Sequence, residues 1–320
     1  MRLLRGLAKG IFVLFIFSVI MGNLIDFQLK KGKENSSEDD VVLSTEVEEL
    51  DTPGLIASNM SVTYVDVGQG NCSIINDDGY VTIVDTGYWD AYESVALALS
   101  ELGIDEVDTL VLTHPDADHI GCADQLIADY DVDRVYLSKF SSDTKTYSYL
   151  MDAISEYNVE LIYPNAGDYI NYGNVKYEFV GPVETYNDAN ASSLVLKVTN
   201  EDNSFLFTGD MTGESFHAII DAGYDLSADV VLLAHHGSAN DGCNSLDFFI
   251  EADMDYAVCS SGLNNSYGHP HYETMEIIKL LDINLYRTDL QGTITCYSDG
   301  KSIKWSCAPS TNYTNGNNSL

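Results

Sequence analysis

The chain predicts an α/β fold of the mixed (α+β) kind, with two sheets covered by helices. Short β-rich runs recur without a break from Ser61 to Ala308, helical patterns separate several of them, and the apolar runs end repeatedly in histidine and aspartate. Roughly 250 residues is enough for one large domain or two small ones, and the pattern gives no place to divide them.

The chain opens on Arg2, Arg5 and Lys9 without an acid, followed by the uncharged stretch IFVLFIFSVIM at 11–21. A basic start and a short apolar run predict a signal peptide or signal-anchor over 1–26. Residues 6–25 could supply the length of a membrane anchor, so the protein is expected to be exported, held at the extracellular face or secreted. Residues 27–60, with SSEDDVVLSTEVEELD at their centre, are polar and weakly periodic and predict an acidic linker. The catalytic domain is expected over 61–308, and the polar tail 309–320 is expected to be disordered.

Within the domain the strand patterns fall at 62–67, 72–75, 81–85, 109–112, 134–137, 161–163, 176–180, 194–198, 204–208, 230–234, 256–260 and 292–297. Helical periodicity covers 91–102, 147–157, 214–222 and 272–281.

The chemistry is densest in THPDADHIGC, 113–122, directly after the apolar run DTLVL. His114, Asp116, Asp118 and His119 leave one strand end together. A loop can fan such closely spaced side chains around one point, and imidazole and carboxylate are both ligands of divalent ions. Two ions about 3.5–4 Å apart activate water and clamp a leaving oxygen, so the spacing points to hydrolysis. Partner ligands occur downstream. FLFTGDM brings Asp210, suited to bridging two ions; VVLLAHHGS brings His235 and His236; YGHPHYE brings His269 and His271 on a loop before a helix. Of the seven histidines, His217 alone lies in a predicted helix, where a packing or surface role is the natural reading.

Fifteen basic against 50 acidic residues give a net charge of −35. Such a surface repels polyanions, which disfavours a strong nucleic-acid-binding surface built on phosphate contacts. Six cysteines allow fifteen complete pairings in an oxidising compartment, and sequence does not choose among them. No CxxC occurs, which argues against a cysteine-only zinc module.

The signatures DVGQG (66–70), VDTG (84–87), THPDADHIG, NASSLVL (190–196), FTGD, HHGS and GHPH, in this order, resemble the metallo-β-lactamase superfamily. More closely they resemble the hydrolase domain at the C-terminal end of ComEC-type competence proteins. The resemblance covers about 62–305.

It implies an αββα sandwich with two divalent ions, zinc or manganese, at one edge of the sheets. His114 and Asp116 would serve the first ion, Asp118 and His119 the second, and Asp210 would bridge them. His236, with His235 as the alternative, would complete the second set. Asp85 would support the ligand loop. His269, with His271 beside it, would face the substrate as polariser or general acid, and Asp118 counts among the catalytic groups as well as the ligands.

Asp116 stands where the wider superfamily has a histidine, and Asn190, itself among the candidate ligands, where it has a third-motif histidine. Both changes remove imidazole from the first set and shift its preference from zinc towards manganese or magnesium. Asn71 follows DVGQG where aspartate is frequent. Cys122 replaces a glycine, reading best as a small buried residue at a helix start.

The expected function is therefore an exported phosphodiesterase or nuclease-like hydrolase using metal-activated water. ComEC-type proteins join this domain to a membrane channel for DNA uptake, and with one apolar segment present that transport role is not expected here. Two alternatives remain on the sequence: a hydrolase of β-lactams, esters or amides, and a surface-anchored binding protein with structural metals. Oligomeric state is not legible.

Overall fold

The computed structural model describes residues 60–317. The predicted membrane segment 1–26 and all but the last residue of the predicted linker lie outside the described residues. No helix among the described residues is long and apolar enough to cross a membrane.

The first half of the chain runs β1 (Met60–Tyr64), β2 (Cys72–Asp77), β3 (Tyr80–Thr86), α1 (Tyr92–Leu102), β4 (Thr109–Leu112), α2 (Ala117–Ile120), α3 (Ala123–Asp129), β5 (Arg134–Leu137), α4 (Lys145–Glu156) and β6 (Glu160–Ile162). The second half continues through β7 (Tyr169–Tyr172), β8 (Val175–Gly181), β9 (Val195–Asn200), β10 (Asn203–Phe207), α5 (Gly213–Asp221), β11 (Val230–Leu232), α6 (Leu246–Ala252), β12 (Tyr256–Cys259), α7 (Tyr272–Leu280), β13 (Asn284–Arg287) and α8 (Thr288–Gln291). It closes with β14 (Ile294–Ser298) and β15 (Ile303–Trp305).

One sheet has the order β15-β14-β1-β2-β3-β4-β5-β6 and the other β13-β12-β11-β10-β9-β8-β7. Strands β3 to β6 are parallel, as are β10 to β13. Each parallel block forms where strands alternate with helices, because a parallel connection needs a crossover.

Side-chain alternation builds four layers. In β4, Leu110 and Leu112 pack under helices α1 to α4, whereas Val111 faces the other sheet. In β10, Phe205 and Phe207 enter the space between the sheets, and Leu206 turns outward onto α5, α6 and α7. A period of two sends neighbours to opposite faces, and both faces are apolar because both are covered. The result is the expected αββα sandwich. Helix starts are fixed locally: Thr144 caps α4 by accepting from Tyr147 N, and Thr212 with Ser215 forms a reciprocal capping box on α5.

Three strands had no sequence signal. β7 reads YINY and is a largely exposed sheet edge, β13 is four residues directly after a helix, and β15 has three. The tail also departs from expectation. Ser310 bridges to Leu285, and the buried Arg287, in a two-pronged pair with Asp289, donates to the carbonyls of Asn312 and Thr314. Residues 310–317 are thus docked; a polar composition hid the fact that backbone carbonyls, not side chains, make the contact.

The β2–β3 turn carries a testable electrostatic feature. Asp77 is buried with Oδ2 unpartnered, and burial, helped by Asp78, raises its pKa to about 6. A carboxyl raised above its unfolded value of about 3.9 makes the fold bind more protons between those values, so stability falls as pH rises through that window. Asp77→Asn should therefore raise Tm by about 2–4 °C at pH 7.5 and leave it unchanged at pH 4, read by thermal melts at both.

Candidate metal centre

All the clustered ligands sit at the carboxyl ends of the parallel strands, the usual place for a site in such sheets. From the first sheet, β3 carries Asp85 one residue before its end and β4 runs into Thr113. Asp85 Oδ1 accepts from Thr113 N (2.8 Å), both its oxygens lie within 3.0 Å of Thr113 Oγ1, and Oδ2 accepts from His119 Nδ1 (2.8 Å). Fixing Nδ1 as the protonated nitrogen leaves His119 Nε2 with its lone pair free. Asp85 thus holds Thr113, at the start of the ligand loop, and the His119 ring. Asp116 starts helix α2, which carries Asp118 and His119 on one turn.

From the second sheet, β10 leads into Gly209 and Asp210. Gly209 has φ +50°, and a Cβ there would stand 2.8 Å from Thr113, so the close approach of the two ligand loops requires glycine. After β11, His235 and His236 both adopt left-handed backbone, φ 49° and 56°. This places both rings towards Asp210, a strained arrangement of the kind that clusters at functional sites. His236 Nδ1 is held by the Ser260 carbonyl (3.0 Å), again leaving Nε2 free.

Asp210 is the centre of the arrangement. Its Oδ1 lies 3.2 Å from His119 Nε2 and 3.8 Å from His236 Nε2. Its Oδ2 lies 3.8 Å from His114 Nε2 and 3.6 Å from His235 Nε2. Asp118 Oδ2 stands 3.2 Å from His236 Nε2, and Asp116 Oδ2 stands 3.7 Å from His114 Nε2. Two convergent triads follow, His114–His119–Asp210 and Asp118–His119–His236.

The donor set fits divalent metal. The Nε2 atoms of His114, His119 and His236 and Oδ1 of Asp210 are buried without a hydrogen-bond partner. Native proteins rarely leave such groups unsatisfied unless an ion or catalysis uses them. Neighbouring ligand atoms on one ion with bonds of ~2.0–2.2 Å lie roughly 3–3.5 Å apart, close to the spacings here.

Charges are strongly coupled. Burial alone would raise the Asp210 carboxyl, yet His119, His236 and His114 outweigh it and hold it well below the ordinary range. Burial alone would lower His119, yet Asp210 and Asp85 hold it well above. Asp118, against the pull of burial, is depressed by its contact with His236 and by His119. Burial lowers His235.

The structure adds local detail to three sequence readings. Both ring nitrogens of His271 are engaged in structure: Nδ1 accepts from Ala239 N (2.9 Å) and Nε2 donates to the Tyr267 carbonyl (3.3 Å). His271 thus ties its loop to the HHGS segment. The Asn190 carbonyl accepts from Ser193 N (3.0 Å), and Ser193 Oγ in turn accepts from Asp210 N (3.1 Å). All six cysteines are free thiols, so no pairing arises. Cys122 is the buried residue preceding α3.

His269 is 3 % exposed, its Nδ1 is unpartnered, and its ring centroid lies 5.2 Å from that of His235. Burial, with His236, His235 and His271 adding to it, lowers its pKa to about 3, so the ring is neutral at pH 7. Asn265 grips it from both sides, accepting from its N–H and donating to its carbonyl. The docked tail braces the same loop, since Gly316 N donates to the carbonyls of Gly268 (3.3 Å) and Pro270 (3.1 Å). Sequence reasoning missed Asn265, Ser260 and the tail; Ser193 lay within a recognised signature. Ser260 and the tail act through backbone atoms, and Asn265 through a side chain whose partners are the backbone of His269, so none leaves a spacing signature.

Asp85→Asn would put an amide where a carboxylate accepts three times, releasing the His119 ring. Metal affinity is expected to fall about 10–100-fold, measured by competitive chelator titration.

A sandwich of these layers with this ligand edge defines a class. Residues 65–261 match the family model described as the metallo-beta-lactamase superfamily, and the chain belongs to that superfamily as a metal-dependent hydrolase of the fold. Among curated proteins, it is 30% identical over 261 residues to ComE operon protein 3 of Bacillus subtilis, covering 75% of this chain and 33% of that protein. It is 29% identical over 238 residues to competence protein ComA of Neisseria gonorrhoeae, covering 73% and 32%. The chain thus spans about a third of the length of these relatives. Among solved structures, the metallo-beta-lactamase fold protein YhfI from Bacillus subtilis aligns with TM-score 0.50 at 12% identity, covering 77% of this chain and 99% of that one. CmlA, a diiron beta-hydroxylase from Streptomyces venezuelae, aligns with TM-score 0.51 at 13% identity, covering 76% and 55%. These two share the fold.

Proposed function

We propose that the chain is a two-ion phosphodiesterase, exported and held at the membrane by residues 6–25, acting on small or locally bound phosphodiesters. The observation that carries the reading is the division of the Asp210 carboxylate, whose two oxygens face two separate sets of ligand atoms. His114 and Asp116 would hold one ion, and Asp118, His119 and His236 the other, with Asp210 shared. Ions bound there, manganese or zinc, would polarise the phosphoryl group and acidify the attacking water.

The chain's own groups do the rest. Asp118, held ionised and partly exposed, accepts the proton of the attacking water. His269, neutral and desolvated, donates a hydrogen bond to the leaving oxygen and acts as polariser rather than acid. Small substrates are favoured because −35 of net charge opposes long polyanions.

The test is turnover of bis(p-nitrophenyl) phosphate, dinucleotides and duplex DNA by metal-stripped protein reloaded with manganese or zinc. Metal-dependent cleavage of the small diesters, faster than of duplex DNA, is expected. His269→Ala should lower kcat roughly 10²-fold with both ions retained. Robust duplex cleavage at physiological salt would overturn the substrate reading, and turnover confined to β-lactams or esters would move the reaction to carbonyl carbon.

A further inference from the structure

We propose that Tyr267 is a stacking platform for a planar ring carried by the leaving group, so that the site favours phosphodiesters of aryl alcohols or nucleosides over aliphatic ones. The proposal rests on the phosphodiesterase reading above and narrows its substrate class. Tyr267 belongs to neither convergent triad.

Three near-parallel rings lead outward from the ligands. The centroids of His236 and His269 lie 6.0 Å apart with their planes at 28°, and those of His269 and Tyr267 lie 5.6 Å apart with their planes at 23°. Exposure rises along the series, from 1 % at His236 and 3 % at His269 to 65 % at Tyr267. Tyr267 is therefore the outermost ring, set against His269 and otherwise open to solvent. Both spacings fall within the range of offset-stacked aromatic rings, about 4.5–7 Å between centroids. His269, assigned above to the leaving oxygen, has Nδ1 buried and unpartnered. A group bonded to that oxygen extends from His269 towards solvent, the side on which Tyr267 stands.

The backbone under this exposed ring is held. Tyr267 N donates to Asn265 Oδ1 (3.1 Å), and its carbonyl accepts from His271 Nε2 (3.3 Å). Further back, Gly262 N donates to Gln69 Oε1 (3.2 Å), tying the same loop to the DVGQG segment. A side chain presented on a fixed backbone loses less freedom when it makes a contact, so the platform is preorganised. The loop 262–271, GLNNSYGHPH, contains no lysine or arginine, and the chain carries a net charge of −35. This wall thus offers nothing to a second phosphate, whereas a planar ring is bound through its π face without any charge. Trp89, similarly exposed on the loop after β3, makes its ring contact with Tyr88, 6.4 Å away, rather than with a histidine. It serves as the comparison.

The experiment compares substrates with and without the ring, using the whole metal-loaded chain. Dithymidine monophosphate is set beside two analogues that lack the base on the leaving or on the retained nucleoside, and product analysis fixes which nucleoside leaves. Phenyl methyl phosphate is set beside a fluoroalkyl methyl phosphate of matched leaving-group acidity, which separates an aryl ring from a nucleobase. Wild type is expected to show kcat/KM roughly 10-fold higher when the ring is present on the leaving side. Tyr267→Phe should keep that ratio. Tyr267→Leu, which still covers His269 but has no π face, should bring it to about one. Non-cleavable methylenephosphonate analogues of the dinucleotides, titrated by calorimetry, should show the same ratio in Kd. An advantage confined to the aryl pair or to the nucleoside pair supports the platform and names the ring it takes. An equal fall for ring-bearing and ringless substrates in Tyr267→Leu would overturn the proposal, because that is the result of a mere cover over His269. A ratio lost in Trp89→Leu and kept in Tyr267→Leu would overturn it as well. If wild type cleaves no diester, the phosphodiesterase reading falls; the platform stands if Tyr267→Leu removes the ring advantage in binding, and falls with that reading if it does not.

Discussion

Asp210→Asn is expected to abolish turnover, by at least about 10³-fold or ~4 kcal/mol in the barrier, and to lose at least one of the two ions. The amide keeps the shape of the side chain but has one acceptor oxygen in place of two, so it serves one set of ligands at most. Elemental analysis beside steady-state kinetics reads both effects. In metal-free protein the same substitution has a signed pH dependence. Asp210 is depressed because His119, His236 and His114 outweigh the cost of burial, so its contribution to stability is present above its unfolded pKa of about 3.9 and disappears as pH falls through the folded value. Wild type and variant should therefore differ at pH 7 in urea melts and converge towards acid. Equal melts at neutral pH would contradict the electrostatic account.

The largest effect on stability is expected from Arg287→Met, about 3–5 kcal/mol, or a fall in Tm on the order of 10 °C. Both side chains of the Arg287–Asp289 pair are 1 % exposed, so removing the guanidinium leaves a buried, unpaired carboxylate. The same step frees the carbonyls of Asn312 and Thr314 and with them the segment whose Gly316 rests against the His269 loop. Turnover should fall with little change in metal content, because the loss reaches His269 and not the ligands. Arg287→Met with Asp289→Leu should recover much of the stability, since an apolar pair replaces a buried ionic one, but should not recover turnover. Recovery of both would show that the tail has no part in placing His269.

The strands that were legible are those with apolar runs bounded by turn residues, and β4 and β5 appear with the expected ends, Thr109–Leu112 and Arg134–Leu137. These strands are buried on both faces, which is what makes such a run stand out. β7 was not legible because an exposed edge selects for tyrosine and asparagine as readily as a loop does. In the site, side chains crowded into THPDADH and HHGS announced themselves by type and spacing. The roles that escaped were those set by orientation: His271 looked equivalent to His269 two residues away, yet its ring is consumed by Ala239 N and the Tyr267 carbonyl. A sequence does not say which of a residue's groups is used.

The six unpaired thiols have a practical corollary. Five are buried, and Cys307 alone is exposed, next to the segment that Arg287 holds, with Gln291 Nε2 donating to its sulfur at 3.3 Å. Folded protein should thus take up one equivalent of a maleimide dye without any cysteine having been removed. A fluorophore there sits a few residues before Ser310, so its anisotropy and quenching would report in real time whether the C-terminal segment stays seated while substrate turns over.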